Sequence, residues 1–258
     1  MSSPFRVPST TSSTPLSSAS APHGPQCEHA VTAAHALHDA QDRAVALFRA
    51  IEENRLVRPG ETEESLSRAI FALASSRFGV AKPWHRRVVR SGPHTRMLFR
   101  ELPPDRTIEA DDIVSLDIAP VFGDLEADLG RTYVLGDDPE KRRLVRDLAG
   151  IFRESQELYA STPTLTGRDL FAFVELASKR CGWTFGGLHA GHLIGAFPFS
   201  REERDHAQNR VRPDNEWPMR APYPGGDPRH WILEVHLLDP SGSFGGFHEE
   251  LLVPRPPA

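Results

Sequence analysis

Residues 113–121 and 125–135 have the alternating polarity of two half-buried β-strands, and the Phe122-Gly123 dipeptide between them is a turn signal. If these two residues form the turn, Asp117 lies directly opposite Asp128, with both side chains on one face. Two neighbouring carboxylates repel each other and destabilise a sheet unless a cation lies between them. The sequence therefore predicts either a cation site or a solvated acidic pair at this hairpin.

A second predicted hairpin, formed by residues 231–238 and 247–253, repeats this arrangement later in the chain. A loop centred immediately after Ser241 would place Glu234 opposite Glu249 on neighbouring strands. An acidic pair that recurs in a second apolar hairpin favours a shared role for all four carboxylates. The two hairpins together supply four candidate ligands for a cation.

The adjacent Glu250 competes with Glu249 for this role. Successive side chains of a strand point to opposite faces, so Glu249 shares its face with Phe247 and Leu251, whereas Glu250 shares the other face with His248. The alternation favours Glu249 as the residue that faces Glu234.

Ionised carboxylates among apolar neighbours such as Leu116 and Ile232 are costly to bury without compensation. Divalent cations would supply that compensation. A set of four oxygen ligands and one imidazole suits Mn²⁺, Co²⁺ or Fe²⁺, and Zn²⁺ is also compatible with it.

Among the twelve histidines, His192 is the strongest candidate for the imidazole ligand, because Gly191 and Gly195 flank it and allow the backbone to approach a crowded site. His189 and His236 are weaker candidates, for contacts with the ligands or with a substrate. For each of the three, a packed and hydrogen-bonded structural role is the alternative.

Two pairs of helices are predicted, one pair before each hairpin. Apolar periodicity indicates a helix over residues 29–56 and a second over residues 62–77, with Thr62 as its N-cap. Asp138-Pro139 opens the third helix and Thr166 caps the fourth. The order helix, helix, hairpin thus occurs twice and predicts an α+β fold, in which two pseudo-symmetric halves surround a mixed, mostly antiparallel sheet.

The chain divides into a tail and one domain. Residues 1–26 are rich in Ser, Thr and Pro and have no continuous apolar stretch, which predicts disorder. Residues 27–258 are predicted to form a single catalytic domain. Within it, residues 201–229 are polar and rich in Pro and Gly, which predicts a long surface excursion that serves as a lid, as a contact in a homodimer, or as a solvated insertion.

Charge and composition exclude several classes of partner. The formal charge of -5, without a basic block, argues against a nucleic-acid surface. The apolar runs are far shorter than the roughly 20 residues of a membrane-spanning helix. Two cysteines, neither in a Cys-x-x-Cys pair, favour a reducing compartment, and we expect a cytoplasmic protein.

Five short motifs occur in a fixed order, and through them the chain resembles the metallopeptidase family of methionine aminopeptidase, aminopeptidase P, prolidase and creatinase, which has the pita-bread fold. The resemblance spans residues 41–254. The motifs are Val-Ser-Leu-Asp at 114–117, Ala-Asp-Leu-Gly-Arg-Thr at 127–132, Gly-His-Leu-Ile-Gly at 191–195, Ile-Leu-Glu at 232–234 and Glu-Glu-Leu-Leu-Val at 249–253.

The resemblance implies a pair of divalent ions, with Mn²⁺ or Co²⁺ as the first candidates. It implies that Asp117 chelates one ion, that Asp128 and Glu249 bridge both, and that His192 and Glu234 complete the other. It also implies hydrolysis by metal-activated water, with Glu234 as the proton shuttle.

The chain departs from the family at two positions. Phe99 and Phe199 stand where family peptidases carry two further histidines that contact the substrate. His94 and His189 are the candidates to replace them as catalytic residues. Loss of oxyanion stabilisation costs several kcal/mol of barrier, so we expect a lower peptidase rate than in typical members.

We therefore expect an aminopeptidase-like hydrolase that cleaves a short peptide, with X-Pro sequences among the candidates, or a related small amide. The first alternative keeps the fold but uses the cavity as a binding module or for metal-independent hydrolysis of a small molecule. The second alternative is an unrelated mixed fold whose acidic pairs are solvated.

Overall fold

The computed structural model describes residues 25–196 and 206–252, with side chains from residue 33 onward within these ranges. Within these ranges, four α-helices and nine strands form the fold. In chain order the elements are α1 (Pro25–Glu53), α2 (Glu63–Phe78), β1 (Val88–Ser91), a 3-10 helix (Gly92–Arg96), β2 (Ile113–Ile118), β3 (Val121–Phe122), β4 (Leu125–Glu126), β5 (Leu129–Val134), α3 (Pro139–Ser161), α4 (Gly167–Arg180), β6 (Thr184–Phe185), β7 (Gly191–Ile194), a second 3-10 helix (Ala207–Asn209), β8 (His230–Leu238) and β9 (Gly245–Leu251).

The last three α-helices begin at the caps that the sequence predicts. Thr62 accepts a hydrogen bond from the backbone of Ser65, and Thr166 makes the corresponding bond with Asp169, so both helices start with a capping box. Asp138 caps α3, with a proline at the first helical position. The predicted starts are confirmed, because each cap satisfies backbone N–H groups that the helix leaves free.

The main sheet has the strand order β1-β2-β5-β9-β8-β6, and β7 also pairs with β8. Every strand pairing found in residues 25–196 and 206–252 is antiparallel. The first half of the chain supplies β1, β2 and β5, and the second half supplies β7, β8 and β9, with the junction between β5 and β9. This confirms the predicted α+β fold of two like halves around a mostly antiparallel sheet.

The helices pack against one face of the sheet in two groups. Helices α1 and α2 cover a cluster that includes Leu116 and Leu129, and helices α3 and α4 cover a cluster that includes Leu233 and Val235. These strand residues alternate with the acidic residues of the same strands. The acidic side chains therefore point to the face opposite these helix-covered clusters.

The turn of the first hairpin lies one residue later than predicted. Phe122 pairs with Leu125, so Gly123 and Asp124 form the turn, and Asp117 pairs with Gly130 rather than with Asp128. Phe122 is buried in the core, which keeps it in the strand, and Gly123 has the positive φ of 64° that glycine adopts without strain. The shift preserves the face, because it moves the partner by two residues.

Pro120 interrupts this hairpin. The predicted continuous strand over residues 113–121 is divided into β2 and β3, because proline has no N–H group to donate to the ladder. The second hairpin has the predicted register, since Glu234 pairs with Glu249 across β8 and β9.

The described part of the predicted surface excursion over residues 201–229 is mostly exposed or half-buried, but a few of its residues belong to the core, which the prediction did not include. Val211 and Met219 are completely or almost completely buried and belong to the core that α3 and α4 cover, and Asn215 is buried too. Their apolar or amide side chains fill space between helix and strand, a role that the Pro-rich and Gly-rich composition of the segment hides.

Two further predictions fall wholly or partly outside the described residues. Helix α1 begins at Pro25, so the last two residues of the predicted tail are helical, and residues 1–24 are not described. Phe199 also lies outside the described ranges. Within those ranges, the helices lack the length and apolar character needed to cross a membrane.

Candidate metal centre

Three acidic residues and one glycine form a row across four strands of the sheet. Asp117 pairs with Gly130, Gly130 pairs with Glu249, and Glu249 pairs with Glu234. Residues in one such row point to the same face. A Cβ atom at Gly130 would lie 2.6 Å from two ring carbons of Phe247 and 2.9 Å from the Cβ of Glu249, so glycine leaves the space that these two side chains occupy.

Asp128 joins this row from the position just before β5, two residues from Gly130. Its carboxylate is almost completely buried and reaches in two directions. Oδ1 lies 3.4 Å from Nε2 of His85, and Oδ2 lies 3.4 Å from Nε2 of His192. One carboxylate thus presents one oxygen to each of two imidazoles.

His192 lies on β7 and completes the predicted group of five. Its Nε2 lies 3.6 Å from Oε1 of Glu234 and 3.7 Å from Oε1 of Glu249. Its Nδ1 lies 2.8 Å from the backbone oxygen of Leu193, and donation to that oxygen leaves Nε2 with a free lone pair toward the acids. The structure therefore brings the five predicted residues together on one face.

Gly191 allows β7 to approach β8 closely enough for this contact. It has a φ of 139°, and a Cβ atom there would lie 2.1 Å from the backbone oxygen of Ile232. Any side chain would push the two strands apart. The flanking glycine thus has the role that the sequence predicts for it, close approach of the backbone.

His85, in the loop between α2 and β1, lies beside the acidic cluster but was not among the residues predicted from the sequence. Its Nε2 is 3.4 Å from oxygens of both Asp117 and Asp128. The surrounding sequence, Pro-Trp-His-Arg-Arg, has no acidic or glycine neighbour that would mark a ligand. The sequence offers one weak signal, an isolated Trp-His pair beside a proline, which is equally typical of a packed loop.

Mutual repulsion and burial shift the pKa values of the acidic groups in the metal-free protein. Burial, together with the charge of Asp128, raises the pKa of Asp117 to about 7. Burial and the same neighbour raise the pKa of Glu249 well above its usual range. For Asp128, the charges of His85 and His192 outweigh burial and hold the pKa at about 2.

The two imidazoles show the opposite balance. Burial lowers the pKa of His85, but the carboxylates of Asp117 and Asp128 outweigh it and raise the pKa to about 9. The pKa of His192 is also raised, because its hydrogen bond to Asp128 and the charge of Glu234 exceed the effect of burial. In the metal-free protein, positive charge on imidazole therefore balances part of the acidic cluster.

Buried polar atoms without partners show that this set of residues fits a cation. Oδ1 of Asp117 and Oδ2 of Asp128 are buried and accept no hydrogen bond of ordinary geometry. Unpaired buried carboxylate oxygens are costly, and a divalent cation satisfies them directly. Two groups of three could each hold an ion, one of His85, Asp117 and Asp128 and one of Asp128, His192 and Glu249, with the ligand atoms of each group within 4.8 Å of one another.

The other predicted histidines lie in different surroundings. Nδ1 of His189 lies 3.4 Å from Oε1 of Glu234, and its Nε2 accepts a hydrogen bond from Arg210 at 2.6 Å. Burial and the nearby charge of Arg210 lower the pKa of His189, although Glu234 opposes them. His189 thus borders the cluster as a neutral imidazole.

His94 and His236 are bound elsewhere. Nδ1 of His94 lies 3.0 Å from Oε2 of Glu63, which links the first 3-10 helix to α2. Nε2 of His236 lies 2.9 Å from the backbone oxygen of Thr95, and burial lowers the pKa of His236. His236 thus has the structural contact predicted as its alternative, and the contact of His94 with Glu63 holds its imidazole away from the acidic cluster.

Phe99 borders the site from the side of His85. Its ring lies edge-on to the His85 ring, with centroids 5.2 Å apart, and the guanidinium of Arg86 lies 4.6 Å from its centroid. The side chain is still 46% exposed. A partly exposed apolar side chain therefore lies beside His85, at the position where the resemblance leads one to expect an imidazole.

The two-halved α+β fold and the acidic face between its halves define a metallopeptidase domain of the pita-bread class. The sequence profile of metallopeptidase family M24 matches residues 35–221. The chain belongs to this family.

Relatives are similar over different shares of their length. The chain is 26% identical over 151 residues to an Xaa-Pro dipeptidase from Pyrococcus furiosus, which covers 58% of this chain and 42% of the relative. The fold resembles a prolidase from Thermococcus sibiricus, with a TM-score of 0.66, 20% identity and coverage of 89% of this chain and 60% of the other. It also resembles a methionine aminopeptidase from Thermotoga maritima, with a TM-score of 0.59, 17% identity and coverage of 90% and 94%. The chain thus spans less than two thirds of the dipeptidase and the prolidase.

Proposed function

We propose that the protein is a hydrolase that binds two divalent cations and cleaves the amino-terminal residue from short peptides, with X-Pro dipeptides as the first candidate substrates. The observation that carries the proposal is the position of Asp128, which directs one carboxylate oxygen toward each of two groups of ligands. The relatives of the protein include an Xaa-Pro dipeptidase, which supports X-Pro dipeptides as the first substrates to test.

In this proposal Asp117, Asp128, His192, Glu234 and Glu249 hold the two cations. Mn²⁺ and Co²⁺ are the first candidates and Fe²⁺ or Zn²⁺ the next, because the set combines carboxylate oxygens with imidazole nitrogen. When bound, such ions lower the pKa of a water and polarise the carbonyl of the scissile bond.

Glu234 is the proposed proton shuttle. Its side chain is 17% accessible, whereas the side chains of Asp128 and Glu249 are almost completely buried. A shuttle must reach the substrate as well as the water, so this partial exposure suits the role.

His189 is proposed to orient Glu234 and to contact the substrate. Arg210 donates to its Nε2, which leaves the proton on Nδ1, directed toward Oε1 of Glu234. A neutral imidazole can donate a proton to an amide carbonyl or a departing amine without adding charge to the site. We give His94 no direct part, because Glu63 holds its imidazole.

The cellular compartment and the oligomeric state of the protein are also part of the proposal. Two cysteines support a reducing compartment such as the cytoplasm. The homodimer contact predicted for residues 201–229 stays a prediction.

The test is an assay of purified protein before and after chelation, with Mn²⁺ or Co²⁺ restored, against Ala-Pro and, as a matched substrate, Ala-Ala. We expect turnover that chelation removes and metal restores, with a preference for Ala-Pro. The Asp128→Asn variant should lose at least about 100-fold, because it removes an oxygen from both groups of ligands. The matched control is Asp137→Asn, whose carboxylate is 93% exposed and pairs with Arg142. Turnover that is absent, or that is indifferent to chelation and to Asp128→Asn, would contradict the proposal.

A further inference from the structure

We propose that His85 is a ligand of one of the two cations, so that each cation has an imidazole of its own. The inference rests on the proposed two-cation centre and adds a sixth residue to it. It gives the cation bound by Asp117 and Asp128 the same kind of nitrogen ligand that His192 gives to the other.

The position of the His85 imidazole supports this assignment. Nε2 lies 3.4 Å from Oδ1 of Asp117 and 3.4 Å from Oδ1 of Asp128. The three ligand atoms lie within 4.8 Å of one another, as do those of Asp128, His192 and Glu249. Ligand atoms around one ion at about 2.0–2.2 Å are separated by comparable distances. The shared Asp128 makes the two groups neighbours.

The orientation of His85 repeats that of His192. Nδ1 of His85 lies 2.6 Å from the backbone oxygen of Arg86, the next residue, and Nδ1 of His192 lies 2.8 Å from the backbone oxygen of Leu193, also the next residue. In both cases this contact fixes Nδ1 as the donor and turns Nε2 toward the carboxylates. Metal-bound histidines usually have their second nitrogen held in this way, which sets the tautomer needed for binding.

The loop that carries His85 is held in place at several points. The backbone N–H of Trp84 donates to Ala119, and its indole Nε1 donates to the backbone oxygen of Ala127. The N–H of Val121 donates to the backbone oxygen of Lys82. These bonds fasten the residues just before His85 to the hairpin that carries Asp117 and Asp128, and the pairing of β1 with β2 holds the segment that follows His85. The imidazole is therefore positioned before any cation binds, which limits the entropy that binding would cost.

The aromatic surroundings limit the movement of this imidazole further. Trp84 lies edge-on to the rings of both His85 and His192, with centroids 4.3 Å and 5.6 Å apart, and Phe99 packs on the other side of His85. Only 13% of the His85 side chain is accessible. A second imidazole should shift the preference of the centre from Mn²⁺ toward Co²⁺ and Zn²⁺, which bind nitrogen more strongly.

The experiment compares Co²⁺ binding to the chelated wild type, His85→Gln, His192→Gln and the control His206→Gln, whose histidine is exposed at the start of the second 3-10 helix. Calorimetry and elemental analysis give stoichiometry and affinity. Visible absorption reports the Co²⁺ ligand field. Proton NMR of the Co²⁺ protein counts exchangeable, hyperfine-shifted imidazole N–H signals.

For the wild type we expect two Co²⁺ per chain and two shifted N–H signals, one from each imidazole. His85→Gln should retain one tightly bound Co²⁺, bind the other at least about tenfold more weakly, and lose one signal. His192→Gln should lose the other signal, and His206→Gln should match the wild type. The wild-type signal count requires no variant, so the inference stays testable even if His85→Gln folds poorly.

Different failures have different meanings. Absence of Co²⁺ binding to the wild type would overturn the proposed function and this inference with it. Two tightly bound ions with a single shifted N–H signal, or an unchanged second affinity and spectrum in His85→Gln, would overturn the inference alone.

Discussion

Glu234 and Glu249 lie directly opposite each other on β8 and β9, and both side chains point into the acidic face. Glu250, the next residue, points to the other face, where it pairs with Arg131 and accepts a hydrogen bond from Gln41 at 2.9 Å. Two adjacent glutamates thus belong to different environments, one shared with His192 and the other with helix α1.

This difference predicts opposite effects for two matched substitutions. Glu249→Gln should reduce metal binding strongly and leave the metal-free protein as stable as the wild type or more so, because burial and repulsion already raise the pKa of Glu249. Glu250→Gln should keep the metal content and lower the free energy of unfolding by about 1–2 kcal/mol, because a charged hydrogen bond is lost. Elemental analysis and urea denaturation measure both. Equal effects of the two variants on metal content would disprove the assignment.

Glu234→Gln should lower kcat for an X-Pro dipeptide by about 100-fold or more, because it removes the proposed proton shuttle. KM should change less than kcat, since neither Asp128 nor the surface near Phe99 is altered. The matched control is Glu216→Gln, whose exposed carboxylate pairs with Arg168 on the surface. Steady-state kinetics with saturating metal separate a lost shuttle from a lost cation, and a wild-type kcat would exclude Glu234 from this role.

Gly191→Ala should lower the free energy of unfolding by about 2–3 kcal/mol, because the new Cβ would overlap the backbone oxygen of Ile232 and the backbone has a positive φ. The matched control is Gly150→Ala in α3, where a Cβ meets nothing within 4 Å and where alanine should stabilise the helix by about 0.5–1 kcal/mol. Thermal unfolding of the two variants gives the comparison. Similar midpoints would contradict the close approach of β7 and β8.

The Asp117 carboxyl should contribute a loss of stability to the metal-free protein as the pH rises from about 4 to about 7, whereas the buried histidines with lowered pKa values contribute a gain as the pH rises toward about 6.5. The folded-state pKa of Asp117 is raised from 3.8 to about 7, so its contribution to stability is complete at low pH and is lost across this window. The raised pKa of His85 extends the loss from pH 6.5 to about 9. Asp128, with a lowered pKa of about 2, acts in the opposite sense and loses its contribution below about pH 4.

Urea denaturation of the chelated protein between pH 4 and 9 measures this dependence. Asp117→Asn should remove the Asp117 contribution to the pH dependence of the free energy of unfolding between pH 4 and 7. Cation binding requires the ionised carboxylate, so the rise in Tm on addition of Co²⁺ should increase with pH over the same window. The same pH dependence in the wild type and in Asp117→Asn between pH 4 and 7 would contradict the raised pKa of Asp117.

Periodicity and local chemistry predict much of the fold and the site. Thr62, Asp138 and Thr166 carry their cap signals within a few residues, and the strand alternation at Glu234 and Glu249 determines which face they share. These features depend on neighbours in the sequence, so the sequence contains enough information to predict them.

Features that depend on distant contacts escaped prediction. The turn lies one residue later than predicted because the ring of Phe122 is buried in the core. The Phe122-Gly123 dipeptide alone does not indicate this burial. His85 reaches the cluster through a loop fastened by Trp84 to Ala119 and Ala127, and no local pattern encodes that attachment. Residues 206–229 contribute Val211 and Met219 to the core in the same hidden way.

The junction of β5 with β9 has a consequence for how the domain matures. Asp117 and Asp128 come from the first half, whereas His192, Glu234 and Glu249 come from the second, so these five proposed ligands come together only after β9 has joined β5. A contact between such distant segments forms late and slowly, since a long loop must close before any stabilisation is gained. Binding of the proposed cations would then follow the pairing of β9 with β5, and a chain still emerging from the ribosome would bind them weakly until β9 was made.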